Sequence, residues 1–446
     1  MTQMTLWLAQ FQFYGGLVFL LLCLALEFGL AWVLLLLRTA ARDTSRAGWV
    51  AAYRFWVRVF ALALTLASAV GVSLLIQTGG LLGALAQRAG DVLSPALGWV
   101  LACFFITRTA FVGLVLFGHQ RLPRWLHTGA VALVATGSTL AIFFLLAALA
   151  WLQTPAGAQV FNEQYVLIDP LQALFNPGLL GHALLFAGAG LLLAGALMVG
   201  VVAGRQSRHP ADASRQPVLR TGFAVAVAGL VLHLAGMGAL VVSDKNHQPA
   251  RAAAVVGYWD SGTAPNLALA GWPDATNQKN HYSWSVRNAA APFLATDKTG
   301  QFIGLDQFSG MTPPVAFIFW SFRIIVLCLL AIGLVSLAAW RRLRRHRYDV
   351  ARLSPGHLRQ LRLLAPIALV LAATTFAWVQ AGALPYAVQG TITFSEVLSP
   401  IGTASVAAGT LLASSAYVGL SIAFILILRH TARHGVIPIS RHRRRA

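Results

Sequence analysis

Two residues able to hold a metal, His233 and Met237, stand four apart in the apolar run "VAVAGLVLHLAGMGALVV". Histidine nitrogen and methionine sulfur can serve as axial ligands of haem iron. Four residues apart on a helix, however, they share one face, whereas two axial ligands approach iron from opposite sides. One helix cannot supply both, so each needs a partner from elsewhere, or His233 is a hydrogen-bonded core histidine. Two charges raise a different question. Glu27 lies in "LCLALEFGLAW" and Arg108 near the middle of "LACFFITRTAFVGLVLFG". An arginine at membrane depth costs at least about 2.5–3.5 kcal/mol to insert, and such charges usually pair.

The elements that position these residues are membrane spans. The chain has 446 residues, 58% hydrophobic and only 10% charged, where a soluble domain carries about 25% charged residues. Nine runs reach the roughly 20 apolar residues a span needs: 14–37, 53–77, 94–118, 126–152, 178–203, 220–243, 313–339, 363–383 and 404–428. This is an all-α integral membrane protein with nine transmembrane helices. The net charge of +20 does not point to nucleic acid, because the basic residues punctuate the spans. The connections after spans 1, 3, 5, 7 and 9, with the mouth of span 2, carry 25 arginines and three acids, against six basic residues in the opposite loops. The positive-inside bias puts the N-terminus outside and the C-terminus in the cytoplasm. No cleavable signal is evident, and the three cysteines (Cys23, Cys103, Cys328) fall inside spans without a haem-attachment or CxxC spacing.

The whole chain, 1–446, reads as a single membrane domain. Residues 244–312 form a long outside segment between spans 6 and 7, containing Trp259, Trp272, Trp284, Tyr258 and Tyr282. This aromatic content argues against disorder and suits a segment folded back on the membrane–water interface. The basic runs "RRLRRHR" and "SRHRRRA" offer contacts to anionic lipid headgroups, besides setting topology. From Glu27 to Arg38 and from Arg108 to His119 is 11 residues each, about 16 Å of helix. Spans 1 and 3 run in the same direction, so the two charges lie at similar depth. Either they pair with each other, or Arg108 reaches an acidic group on another subunit.

Four stretches, in order, carry a resemblance: "TAFVGLVLFGHQRLPRWLH" (109–127), "ALFNP" (173–177), "DKNHQPARAAAVVGYWDSG" (244–262) and "WSFRIIV" (320–326). Together with the nine spans and the long outside loop, the chain resembles cytochrome bd quinol oxidase subunit I. The resemblance implies a bacterial cytoplasmic (inner) membrane protein of the respiratory chain. In that family subunit I carries two b-type haems and one d-type haem, oxidises quinol at the outer face and reduces oxygen to water.

The positions that the resemblance pairs with iron ligands are apolar here: Leu20, Val100, Leu185, Ile325 and Ala373. None of these side chains can coordinate iron. Arg108 falls where the family keeps a further glutamate. In the quinol loop Gln248, Pro249 and Trp259 match, Arg251 stands in place of a lysine, and Val256 in place of a glutamate that accepts a quinol proton. The family's "GRQPW" reads "GALPY" (382–386). The resemblance is therefore to a degenerate, haem-free paralogue. Such a chain has no cofactor of its own and scaffolds a haem-bearing subunit I, which holds haems b and d, with a small single-span subunit as an optional addition. The alternative is a catalytic subunit I with relocated ligands, for which His182 and His233 are the candidates. A transporter lacks support, since no internal repeat or intramembrane polar pathway is visible.

Overall fold

The structure is a computed structural model that describes residues 2–41, 47–117, 122–205, 213–345, 348–349 and 352–434. The "SRHRRRA" run, His346, Arg347 and the 118–121 turn lie outside the described residues. Among the described residues nine helices are long and apolar enough to cross a membrane. They are α1 (Gln3–Ala40), α2 (Ala47–Leu81), α3 (Gly83–Ala110), α4 (Arg124–Gln153), α5 (Leu179–Arg205), α6 (Arg215–His247), α7 (Val315–Arg345), α8 (Pro355–Ala381) and α9 (Thr403–His434).

Most helices overrun the apolar stretches that announce them. α1 begins at Gln3, where Thr2 Oγ1 accepts the backbone N–H of Thr5 at 3.2 Å. α3 starts at Gly83 and passes at Phe111 into a π-helical segment, Phe111–Leu116. A hydropathy window reads only the hydrocarbon slab, while backbone hydrogen bonding continues the helix into the polar margin. The connections are not purely irregular either. Three short antiparallel hairpins sit in them: β1 (Ala158–Phe161) with β2 (Gln164–Leu167), β3 (Leu267–Asp274) with β4 (Lys279–Val286), and β5 (Tyr386–Val388) with β6 (Ile392–Thr393).

The bundle is organised around α5, which packs on α1, α6 and α8. Its sequence "HALLFAGAGLLLAGALMVG" is apolar all round, as befits a helix enclosed by others. Gly188, Gly190 and Gly195 face backbone. A Cβ on Gly190 would meet the Ala25 carbonyl oxygen on α1 at 2.6 Å. One on Gly195 would meet the Ala226 nitrogen on α6 at 2.6 Å. Gly29, Gly229 and Gly236 answer from the partner helices. Without a hydrophobic effect between helices in lipid, such close backbone approach supplies the dispersion that holds them.

By contrast, α9 buries little, and polar side chains tie it down. Thr403 Oγ1 lies 2.6 Å from Thr5 Oγ1, Thr410 donates to Gln12 at 3.1 Å, and Gln77 donates to the Tyr417 hydroxyl at 2.8 Å.

Filling the α1–α5 contact tests this arrangement. Gly29→Leu is expected to cost about 1–3 kcal/mol through overpacking, read as a lower thermal midpoint in detergent. Gly98→Leu, with nothing within 4 Å of its Cβ position, should leave the midpoint unchanged. Equal effects would remove the claim that this contact is tight.

Candidate functional site

Two buried ion pairs mark the polar interior. In the first, Arg108 forks onto Glu27, with Nη2 2.8 Å from Oε2 and Nη1 3.1 Å from Oε1. Ser138 on α4 donates to Oε1 at 3.2 Å, and Arg108 Nε donates to Ser68 on α2 at 3.2 Å. The guanidinium lies 3.4 Å above the Phe104 ring. Four helices thus meet at one bidentate pair, the stronger geometry for arginine and carboxylate. Glu27 is 1% exposed and Arg108 13%. Arg108 occupies the last α-helical turn of α3, just before the π-helical segment that carries the span on to Leu116, a type of distortion common at functional sites.

The second pair escapes a reading of hydropathy alone. Asp244, assigned by sequence to the outside segment, lies in the last turn of α6 and is 3% exposed. It accepts both Nε and Nη2 of Arg251, the former at 2.8 Å. Glu27 is therefore not the lone acid enclosed by helices. Pro249 opens the short helix Pro249–Val256, and the break at Gln248 turns Arg251 back onto Asp244. Arg251 Nη1 also donates to Gln153 Oε1 at 2.8 Å, and Gln248 Nε2 donates to the Gln153 carbonyl at 3.0 Å. The signal available in sequence was an acid and a base seven apart across "HQP".

The rest of the loop motif is similarly engaged. Trp259 is buried and donates Nε1 to Asn280 at 2.9 Å. Val256 is fully buried. Arg323 on α7 went unnoticed in sequence. It donates to the carbonyls of Val255 (2.6 Å), Phe319 (2.7 Å), Leu269 (3.1 Å) and Ala268.

The histidines do not converge. His182 on α5 is buried, with Nδ1 2.8 Å from the Gly178 carbonyl, and its Nε2 has no hydrogen-bond partner among the described residues. His233 on α6 sets Nε2 3.3 Å from Thr375 Oγ1 on α8. Met237, one turn on, is buried in the same core. No cluster of three or more His, Cys, Asp or Glu side chains fit to hold a metal ion occurs among the described residues.

The family model for cytochrome bd terminal oxidase subunit I matches residues 8–436. The chain belongs to that family. Over 430 residues it is 27% identical to cytochrome bd ubiquinol oxidase subunit 1 of Bacillus subtilis (strain 168), covering 91% of this chain and 88% of that one. Cytochrome bd-II ubiquinol oxidase subunit 1 of Escherichia coli (strain K12) is 25% identical over 288 residues, 63% of this chain and 55% of that one. The solved structure of bd oxidase from Geobacillus thermodenitrificans shares the fold, with a TM-score of 0.86 at 18% identity, covering 97% and 99% of the two chains. This subunit I-family chain is accordingly a multi-pass membrane protein of the bd oxidase type.

Membership makes the five ligand-paired positions a test of fit. Leu20, Leu185 and Ile325 are buried in packed apolar clusters, and Val100 and Ala373 are half-buried. A Cβ on Gly236 of α6 would meet the Leu185 nitrogen at 2.5 Å, so α5 and α6 touch where the resemblance puts an axial ligand. These residues do not fit axial ligation of a haem at the family's positions.

The ion pair at Glu27 yields a non-additive expectation. Arg108→Leu and Glu27→Leu should each destabilise by about 3–5 kcal/mol, because each strands a buried charge. The double variant should recover much of that loss, which a double-mutant cycle measures as coupling. Simple additivity of the two losses would show that the pair contributes nothing.

Proposed function

We propose that this chain is a haem-free, non-catalytic member of the subunit I family. In this reading it scaffolds a haem-bearing subunit I, which holds haems b and d, within a quinol:oxygen oxidoreductase of the respiratory membrane. A small single-span subunit and the surrounding lipids are its further neighbours. The observation that carries the reading is the set of apolar side chains at the five ligand-paired positions, with Leu185 and Ile325 packed tightly in the core. Substitution of all five leaves the haem chemistry to the partner. The relatives are subunits of ubiquinol oxidases, and quinol oxidation here is assigned to the complex rather than to this chain.

A second reading has one observation in its favour. Nε2 of His182 is buried and unpaired among the described residues, which is the state of a nitrogen awaiting a ligand. A catalytic chain with relocated ligands would use it together with His233. The near contact of His233 with Thr375 weighs against that use.

Two measurements test the proposal. The purified isolated chain should show no Soret band and no pyridine haemochrome. A stoichiometric b-type spectrum, lost in His182→Ala or His233→Ala, would establish the catalytic reading instead. In the assembled complex, Trp259→Phe keeps an aromatic ring but removes the indole N–H that bonds Asn280. It should leave the quinol Michaelis constant within about threefold, or roughly 0.65 kcal/mol. A tenfold rise with assembly intact would place substrate at this loop.

A further inference from the structure

We propose that the β3–β4 hairpin is a membrane-surface anchor whose Trp272, Tyr282 and Trp284 seat in the headgroup–acyl boundary of the outer leaflet beside α7. The argument starts from α7. Trp320 and Trp340 stand 20 residues apart on it, about 30 Å of helix and the thickness of the hydrocarbon core. Tryptophan concentrates at both edges of that core. Arg341, Arg342, Arg344 and Arg345 follow Trp340 directly and mark the cytoplasmic edge, so Trp320 marks the outer one.

Arg323 lies one turn inside that outer edge. Its guanidinium holds the carbonyls of Ala268 and Leu269, the second and third residues of β3. An arginine this near a helix end ordinarily reaches for the interface. Here its charged head is satisfied by backbone of the hairpin, which fixes the hairpin root at the level of the membrane boundary rather than above it.

Beyond the root the hairpin is open. Tyr282 is 98% exposed, Trp284 69% and Trp272 65%, with Leu269 and Val286 also exposed. Large apolar groups gathered on a two-stranded hairpin need a covering surface. Trp and Tyr, with an apolar ring and a polar edge, suit the wet side of a bilayer. The charge is consistent. Lys279 and Arg287 flank β4 and favour anionic headgroups. Asp274, at the hairpin turn, accepts from Asn277 Nδ2 at 2.7 Å and His281 Nε2 at 3.0 Å, and these bonds hold its carboxyl below the usual carboxylate range. The hairpin also continues an apolar surface, since Phe317, Ile324 and Leu327 on α7 are exposed. A phospholipid leaflet, rather than a second protein, is therefore the occupant.

The test places a nitroxide label on Trp284→Cys in a Cys23→Ala, Cys103→Ala, Cys328→Ala background. The full complex is reconstituted in nanodiscs of phosphatidylcholine and phosphatidylglycerol. Lys298→Cys, exposed elsewhere in the same segment, is the aqueous control. At a headgroup–acyl depth of about 5–10 Å, the ratio of oxygen to nickel-chelate accessibility at 284 should exceed the control about threefold. A ratio equal to the control would show a hairpin free in water, and exclusion of both probes would show a protein covering it. Either overturns the proposal. Should the cysteine-free chain fail to assemble, quenching by brominated lipid in the native background decides. Trp284→Phe should lose part of the quenched fluorescence, and an unchanged quenched fraction counts against the anchor.

Discussion

The fold depends on the close approach of α5 to its neighbours. Backbone meets backbone at Gly190 against Ala25, at Gly195 against Ala226 and at Gly236 against Leu185. In lipid no hydrophobic effect pushes helices together, so the dispersion gained at such contacts must do so. The contact at Gly236 also brings α5 and α6 together beside Leu185, one of the positions that the resemblance pairs with an iron ligand.

The charges follow from the same constraint. A buried acid or base that loses its partner is costly, so a family site that changes one charge must accommodate it locally. At Arg108 this is done by Glu27, with Ser138 and Ser68 satisfying the remaining donors and acceptors and Phe104 covering one face of the guanidinium. Each of the first four helices contributes one polar side chain. The result is a cross-brace on the side of the bundle away from the loop, distinct from the brace that Asp244 and Arg251 form at the loop's root.

Much of this was legible in the sequence, and what was not has physical causes. Nine spans were visible because a bilayer imposes long apolar runs. Glu27 and Arg108 stood out because they interrupt two such runs at matching depth, and the helices bring them into contact. Asp244 was read as loop because it sits beside Lys245, Asn246 and His247, a polar context that hydropathy cannot distinguish from solvent. Only the helix break at Gln248-Pro249 folds a cation onto it. The β1–β2 and β5–β6 hairpins were missed because their strands are four residues or shorter. Helix ends were misjudged by up to three turns because helices outlast the hydrocarbon. Arg323 was overlooked because its partners are backbone carbonyls from distant segments, which no side-chain pattern announces.

The loop motif is tied into the fold at every matching residue. Gln248, Pro249, Arg251 and Trp259 all match or approximate the family's quinol loop, yet each has a structural occupation. Pro249 starts a helix, Gln248 holds the Gln153 carbonyl, Arg251 neutralises Asp244, and Trp259 joins Asn280 across the segment. Removing any of them would strand a buried partner, so folding alone constrains these positions. Val256, fully buried among apolar neighbours, has no polar partner to hold, and the motif departs from the family's pattern where its residue carries no such contact.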